Sequence, residues 1–345
     1  MSLTGHREES FRVELLTNTE KSLGDLDGVS GGSLSWNANA DLPGSGSISL
    51  QDRGQNINTS KDRVRVWWQV ADYGEWPLGV YVMAAPSRFY TGAGSSRDLT
   101  LLDKLTVIKD DRIKETLQFS AGSNIIDSVV SVIQSTGETR IASTASGSVL
   151  TNDVAWEPGT SKLSVVNSLL SAAGYWGLWT DRYGQFRVEP YIAPADRPVV
   201  WEFQEGETSI HSPEWTYEIP LWEATNLVVL ISQADDDGNF WTATAEDDNP
   251  ASPTSTVSMG RVLNPIVEEN VEASSQLDLQ QQANRRLISN SNTVGRLSVQ
   301  HAPIPLWYNE AVSFSSQGVS VKATVIKQDL TLQAGSLVSA EWRQS

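Results

Sequence analysis

The residues most able to bind a metal or move a proton are three histidines, His6, His211 and His301, which lie far apart in the chain. Imidazole is a common metal ligand and the usual general base near neutral pH. A zincin-type metalloprotease needs two histidines in an HExxH motif, and the sequence contains no such motif. We expect the three histidines to occupy surface or incidental positions.

One segment fits the nucleophile motif of serine hydrolases. Gly28-Val29-Ser30-Gly31-Gly32 matches G-x-S-x-G, in which the serine attacks an acyl group. That motif requires a strand before it and a helix after it. Leu34 and Trp36 instead continue with strand-like alternation. The sequence therefore predicts a turn between strands here.

Two other segments resemble ligand-binding loops only in part. Gln233 to Gly238 matches half of an EF-hand loop, but its twelfth position is Thr244, where a carboxylate is required. We interpret it as an acidic hairpin turn. Gly92 to Arg97 lacks the third glycine of a dinucleotide fingerprint and does not open a helix.

The remaining candidates for catalysis are the 42 carboxylates, and there is no cysteine. Two carboxylates at the right separation could hydrolyse a glycoside, but only the fold decides that separation. Without cysteine there is no thiol nucleophile, disulfide or Cys-type zinc site. The sequence therefore predicts no catalytic, cofactor-binding or metal-binding residue and no cofactor, so we expect a non-enzyme.

The net charge of −17 disfavours specific nucleic-acid binding, because an acidic surface repels phosphates. It would also keep nucleic acid from adhering to a wall that it slides past. Solubility alone explains the charge equally well. No stretch approaches a membrane span of about 20 apolar residues. The first nine residues lack a signal-peptide core, so we expect synthesis in the cytoplasm and no stable membrane insertion.

The first hundred residues alternate like strands. Val64 to Val70 places its valines and Trp68 on one face, and Asp72 to Gly74 supplies a hairpin turn before Pro77 to Val82. Short strands with regular Gly and Pro punctuation are typical of a small barrel or sandwich.

The middle of the chain changes to helical periodicity. One helix is predicted from Ser123, as N-cap, to Gly137, and a second over Ser161 to Ala173 with Gly174 as its C-terminal glycine. Asp181 to Gly184 is a hairpin signature. Together these elements predict a small α+β module, which a linker at 193–198 ends.

Strands then resume at Asn226 to Ile231 and Phe240 to Thr244. A helix opens at Ser275, with Leu279, Ala283 and Leu287 on one face. The chain ends in further strands, so a β-module occurs twice with helical inserts.

The predicted fold class is therefore mainly β with α+β inserts. A length of 345 residues suggests two or three domains. The predicted organisation is a first β-barrel at 1–108, an α+β insert domain at 109–205, a second barrel from 206–250 and 292–345, and a loop and helix insertion at 251–291. Two-sheet sandwiches would give the same pattern.

The order of these patterns resembles the hub proteins of bacteriophage tail tips, also known as baseplate hub or minor tail proteins, whose fold forms the base of contractile injection spikes. Trp76 to Val82 followed by Leu99 to Leu105 is similar to the end of their first barrel. Ala172 to Pro190 is similar to their helix and hairpin insert. Asn309 to Phe314 and Val319 to Val325 are similar to the closing strands of their second barrel. Larger members carry a peptidase, lysozyme or fibre extension, and because the sequence ends at Ser345 we expect this protein to lack one.

This resemblance implies a homotrimer in which two tail-tube-like barrels per subunit form a pseudo-hexameric ring. The ring would join a sixfold tail tube to a threefold tip and would surround the DNA channel. Its implied partners are the tail tube or distal tail protein above, tip, fibre or spike proteins below, and the tape measure protein in the lumen. The implied location is the distal tail tip of the virion, after assembly in the host cytoplasm.

Two alternatives remain open. A cell-wall carbohydrate-binding protein of the same particle would stack sugars on exposed tryptophans. It predicts that several of one set are exposed together: Trp67, Trp76, Trp176, Trp222 and Trp307. A cell-wall hydrolase would use the abundant carboxylates.

Overall fold

A computed structural model describes residues 3–92, 94–233, 240–271, 275–291 and 295–345. Strands make up 45% of the chain and helices 15%, which confirms the mainly β class. The chain forms two compact units. The first unit contains residues 1–215, 298–343 and 345, and the second contains residues 216–297 and 344. Within the described part of the chain, no helix is long and apolar enough to cross a membrane.

The first β-module occupies the start of the first unit. Its strands are β1 (Glu9–Leu16), β2 (Ser22–Asp25), β3 (Val29–Asn37), β4 (Gly44–Gln51), β5 (Arg63–Val70), β6 (Gly74–Thr91) and β7 (Gly94–Asp103). All neighbours are antiparallel, in the order β3-β4-β7-β6-β5-β1-β2. The alternation predicted for β5 is confirmed, because Val64, Val66 and Trp68 are fully buried.

An α+β module follows the first β-module. Its elements are α1 (Thr106–Asp110), β8 (Leu117–Phe119), α2 (Ile125–Gln134), β9 (Ile141–Ser143), β10 (Val154–Trp156), α3 (Lys162–Ala172), β11 (Trp179–Thr180) and β12 (Phe186–Val188). The apolar faces of α2 and α3 share one core with Phe186 and Val188. Both helices and the turn between β11 and β12 lie where the sequence predicts them.

The N-cap of α2 corrects one prediction. Asn124, rather than Ser123, caps the helix, because its side-chain oxygen accepts hydrogen bonds from the backbone N–H groups of Ile126 (2.9 Å) and Asp127 (3.1 Å). The predicted ending of α3 is confirmed. Gly174 follows the helix with φ of 71°, the left-handed conformation that glycine adopts most easily.

Six later strands, most of whose residues belong to the first unit, form a second β-module. These strands are β13 (Val199–Gln204), β14 (His211–Glu218), β18 (Arg296–His301), β19 (Ala311–Ser316), β20 (Val319–Thr331) and β21 (Val338–Gln344). Their order is β14-β18-β21-β20-β19-β13. This order repeats β3-β4-β7-β6-β5-β1 of the first module strand for strand, although β13 and β19 are parallel where β1 and β5 are antiparallel.

The two β-modules are joined into one sheet by the antiparallel pairing of β20 with β3. Lys327 to Thr331 of β20 lie opposite Asn37 to Ser33 of β3. In the described residues the main path through this sheet stays open, from β14 at one end to β2 at the other.

The second unit is built around a separate small sheet. Its elements are β15 (Leu227–Ser232), β16 (Thr242–Glu246), α4 (Thr256–Met259), β17 (Ile266–Val271) and α5 (Gln276–Ser291). The strand order is β16-β15-β17, and α5 covers one face through Leu279 and Ala283, as its periodicity predicts.

The strand partners here differ from the predicted grouping. β15 pairs with β16 on one side and with β17 on the other, and in the described residues none of the three pairs with the strands of 292–345. Residues 199–204, placed in the insert by the sequence, pair with β19 as β13. Alternation identifies a strand but not its neighbour, because the neighbour is chosen by contacts distant in sequence. The four domain boundaries stay a prediction.

Candidate assembly site

Of the surface or incidental positions expected for the histidines, two are not at the surface, because His211 and His301 are buried. His301 is fully buried and lies against the rings of Phe203 and Trp342, at centroid distances of 5.1 and 5.8 Å. Its Nδ1 is 2.8 Å from the carbonyl oxygen of Ala302. Burial lowers the pKa of His301 to about 4. Among the described residues, no three His, Asp or Glu side chains come together as metal ligands.

The serine motif belongs to a strand. Ser30 lies in β3, which runs on to Asn37, and its hydroxyl donates to the carbonyl oxygen of Ser49 (3.1 Å). Gly32 has a packing role, since a Cβ there would lie 2.3 Å from the carbonyl oxygen of Ser47 on β4. The motif therefore permits close approach of two strands and does not form a nucleophile elbow.

The two loop motifs carry no site that the structure describes. Residues 234–239, including Asp235, Asp236 and Asp237 of the EF-hand-like segment, lie outside the described residues. Gly92 and Gly94 belong to the turn that joins β6 to β7, and no helix begins there in the described residues.

The tryptophans named for sugar binding are not exposed together. Only Trp222 of the five is exposed, at 61%, while Trp307 is buried at 6%. Trp67 is covered by the guanidinium groups of Arg12 and Arg65, 4.6 and 5.7 Å from its ring. The exposure that the carbohydrate-binding alternative predicts is therefore wrong.

A buried ionic cluster, which the sequence does not predict, joins the first β-module to the α+β module. We call it the junction cluster. It consists of Glu20, Arg63, Lys104, Glu138 and Arg140. Glu20 ends the turn before β2, Arg63 begins β5 and Lys104 follows β7, whereas the last two residues belong to the α+β module.

Lys104 is the centre of the junction cluster and is fully buried. Its ammonium contacts the carboxylates of Glu20 and Glu138, the second at 3.1 Å. It also donates to the carbonyl oxygen of Gly184 (2.7 Å) and lies 4.4 Å from the Phe186 ring centroid. Every donor of this ammonium therefore points at a partner.

Arg63 completes the pairing of both carboxylates. It contacts Glu138 and lies 3.1 Å from Glu20 Oε1, and Arg140 approaches the other Glu20 oxygen. Burial alone would raise the pKa of Glu138, but the hydrogen bond from Arg63 and the charges of Lys104 and Arg63 lower it below its usual value. Glu138 is thus held as an anion and both carboxylates contact buried cations, so the cluster suits a rigid joint better than proton transfer.

A second set of contacts joins the α+β module to the second β-module. The carbonyl oxygen of Thr180 accepts hydrogen bonds from Trp307 Nε1 (3.2 Å) and the Tyr308 hydroxyl (3.0 Å). Arg182 forms an ion pair with Glu310 at 3.1 Å. The α+β module therefore contacts both β-modules.

Near this joint lies the buried carboxylate of Asp103. It accepts hydrogen bonds from the backbone N–H groups of Gly44 and Leu105, both at 2.8 Å. Burial raises the pKa of Asp103 to about 6, although these hydrogen bonds oppose the shift. Asp103 lies at the end of β7 and is buried, so we assign it to the core.

The outward side of β3, β4 and β7 is a surface of small hydroxyl side chains. We call it the hydroxyl face, which consists of Ser33, Ser35, Ser45, Ser47 and Thr100. Ser33, Ser47 and Thr100 form one row across the three strands, and the first two hydroxyls are 3.2 Å apart. Interfaces are usually centred on buried aromatic and aliphatic anchors. The row itself has none, and Leu102, opposite Ser45 on the same side of the sheet, is only half-buried, so the face suits contact with water.

Comparison with solved structures shows which proteins share this fold. A tail protein from Neisseria meningitidis MC58 aligns over 97% of both chains with a TM-score of 0.65 at 11% identity. The 43 kDa tail protein of prophage MuSo2 from Shewanella oneidensis aligns over 96% of this chain and 98% of its own, with a TM-score of 0.64 at 13% identity. The fold is therefore that of phage tail proteins.

The likeness extends to a secretion system. The E. coli c3393 protein, a component of the type VI secretion system, matches 93% of this chain and 75% of its own, with a TM-score of 0.52 at 9% identity. No model of a known protein family matches this chain, and no curated protein sequence matches it. The likeness is one of fold.

Proposed function

We propose that this chain is a non-enzymatic structural hub of a phage tail tip. In this proposal it acts as a homotrimer, and its two β-modules close as tail-tube-like barrels, so that three subunits form a pseudo-hexameric ring. The observation that carries the proposal is the repeated strand order, β3-β4-β7-β6-β5-β1 and β14-β18-β21-β20-β19-β13, in one continuous sheet.

The repeat supports a ring because it supplies two similar surfaces per chain. A sixfold tube requires six equivalent contacts, and a threefold tip requires three subunits. Three chains with two β-modules each satisfy both. The E. coli protein with this fold is itself described as similar to the T4 bacteriophage tail proteins gp27 and gp5, which supports the same assignment.

The hydroxyl face then lines the channel. Short hydroxyl side chains leave a smooth wall, and the net charge of −17 repels phosphates, so DNA passes without adhering. The α+β module, from α1 to β12, lies on the outside of the ring. The partners are the tail tube or distal tail protein above and tip, fibre or spike proteins below, with the tape measure protein in the lumen. The site of action is the distal tail tip of the virion.

The test combines light scattering after size exclusion with electron micrographs of the purified protein. We expect a particle of three 37.7 kDa chains and ring-shaped views with a central channel. A strict monomer at the highest soluble concentration, with no rings, contradicts the proposal. Zymography on peptidoglycan, with lysozyme as the positive control, tests the non-enzymatic part. We expect no clearing, and clearing would overturn it.

A further inference from the structure

The repeat of the β-module is incomplete at one edge. β20 carries two strands along the same edge: β19 pairs with Val319 to Thr324, and β3 pairs with Lys327 to Thr331. The first half of β20 is therefore covered by its own module, and the second half is covered by the other module.

β6 is the equivalent of β20 in the first module. β5 pairs with its first half, from Gly74 to Val82. Beyond Val82, β7 continues along one edge, but no strand in the described residues lies on the other. Residues 86–91 are all exposed. At the β20–β3 pairing, by contrast, Gln328 and Leu330 are buried.

β14 is the strand that is missing a partner in the second module. It occupies the place that β3 has in the first module. β3 lies between β4 and β20, whereas β14 pairs with β18 alone in the part of the chain that the structure describes. β6 therefore lacks a partner equivalent to β3, which β14 is, and β14 lacks a partner equivalent to β20, which β6 is. β2, the other free end, has no counterpart in the second module.

We propose that the outer half of β6 in one copy pairs antiparallel with β14 of the next copy, in the way β20 pairs with β3 within one chain. This inference rests on the proposed ring and identifies the contact that closes it. A head-to-tail contact of this kind generates a closed ring when its rotation divides the circle. Each chain supplies two β-modules, and a sixfold ring has six positions. The ring therefore closes with three chains.

The side chains of the two edges are complementary. The outer half of β6 carries Arg88 and the exposed rings of Phe89 (64%) and Tyr90 (74%). β14 carries exposed carboxylates at Glu214 and Glu218. Opposite charges and aromatic pairs across antiparallel strands stabilise the pairing.

Prolines limit where the two edges pair. Pro86 lies in the bulge of β6 and Pro213 lies near the start of β14. A proline cannot donate to a strand ladder. The ladder therefore forms within residues 87–91 and 214–218, with Arg88 opposite Thr216 so that it shares a face with Glu214 and Glu218, and the prolines discourage other registers.

Crosslinking tests the contact, because the chain has no cysteine of its own. Ser87→Cys and Thr216→Cys are combined in one chain and treated with a short maleimide crosslinker. We expect covalent dimers and trimers with no larger species. In the matched control, Ser33→Cys replaces Ser87→Cys. Ser33 lies four strands from β14 in the sheet, and we expect no crosslinks.

Charge reversal gives a second readout. Arg88→Glu should raise the dissociation constant of the trimer about tenfold, as expected for the loss of a close interfacial charge pair. Adding Glu214→Arg and Glu218→Arg should restore the affinity. Arg343→Glu, on an exposed position of β21, is the control. A trimer that neither crosslinks nor responds to these charges refutes the edge pairing and leaves the proposed function standing. A chain that never trimerises refutes both.

Discussion

Leu34 and Leu330 lie directly opposite each other where β3 pairs with β20, and both side chains are buried. They are the point at which two β-modules, separated by the α+β module in sequence, become one sheet. Truncating Leu330 to alanine should reduce the free energy of unfolding by about 2–5 kcal/mol, because a cavity remains in a packed core. Chemical denaturation measures this.

A double-mutant cycle makes that test specific. Leu34→Ala and Leu330→Ala should show a coupling of about 0.5–3 kcal/mol, as expected for side chains in contact. Leu337→Ala is the control, since Leu337 is 45% exposed. Strict additivity of the two core variants would mean that the modules are not held together at this pairing.

The junction cluster predicts a large effect of one lysine. Lys104→Met should destabilise the protein by about 3 kcal/mol, because Glu20 and Glu138 lose a buried cation and the Gly184 carbonyl loses its donor. Thermal and urea unfolding monitored by circular dichroism measure the loss. The exposed Lys61→Met should change stability by less than about 0.5 kcal/mol. Equal effects of both variants would contradict a structural role for the cluster.

His301 predicts acid sensitivity. The pKa of His301 is about 4 in the folded protein and 6.5 in the unfolded chain. Between these pH values the unfolded chain therefore binds a proton that the folded chain does not. The stability that His301 contributes is present above pH 6.5 and is lost as the pH falls towards 4, by up to about 1.4 kcal/mol per pH unit. His301→Gln should flatten this slope in urea unfolding. His6→Gln, at an exposed position, should leave it unchanged.

Asp103 predicts the opposite slope. The pKa of Asp103 is about 6 in the folded protein and 3.8 in the unfolded chain. Between these pH values the folded chain therefore holds a proton that the unfolded chain has lost. Stability from this group is therefore greatest below pH 3.8 and falls as the pH rises towards 6, by about 3 kcal/mol in all. Asp103→Asn in the His301→Gln background should remove this fall. A fall that persists in the double variant would assign it to another group.

The hydroxyl face predicts a change in DNA contact. Ser47→Arg with Thr100→Arg places two cations on this face, and the variant should retain double-stranded DNA in a low-salt gel shift. The complex should dissociate as salt rises, and the parent protein should retain none. Thr151→Arg with Asn152→Arg, on the exposed surface of the α+β module, matches the charge change. Retention by this control alone would argue against a channel lined by the hydroxyl face.

The local elements follow from the sequence because their signals are local. The alternation of Val64, Val66 and Trp68 identifies β5, and the glycine at 174 ends α3, since in each case the burial or the backbone angle is set by neighbours in the chain. The resemblance to tail hubs rests on the order of such elements, and that order agrees with the fold of the solved tail proteins.

Strand partners and buried charges depended on the tertiary structure. The sequence does not show that β15 pairs with β17 or that β20 pairs with β3, because alternation says which face is buried and not which strand lies alongside. Lys104, Glu20 and Glu138 each look like solvated surface charges in the sequence. Only the packing of two modules brings them into one buried cluster, where burial makes each charge dependent on the others.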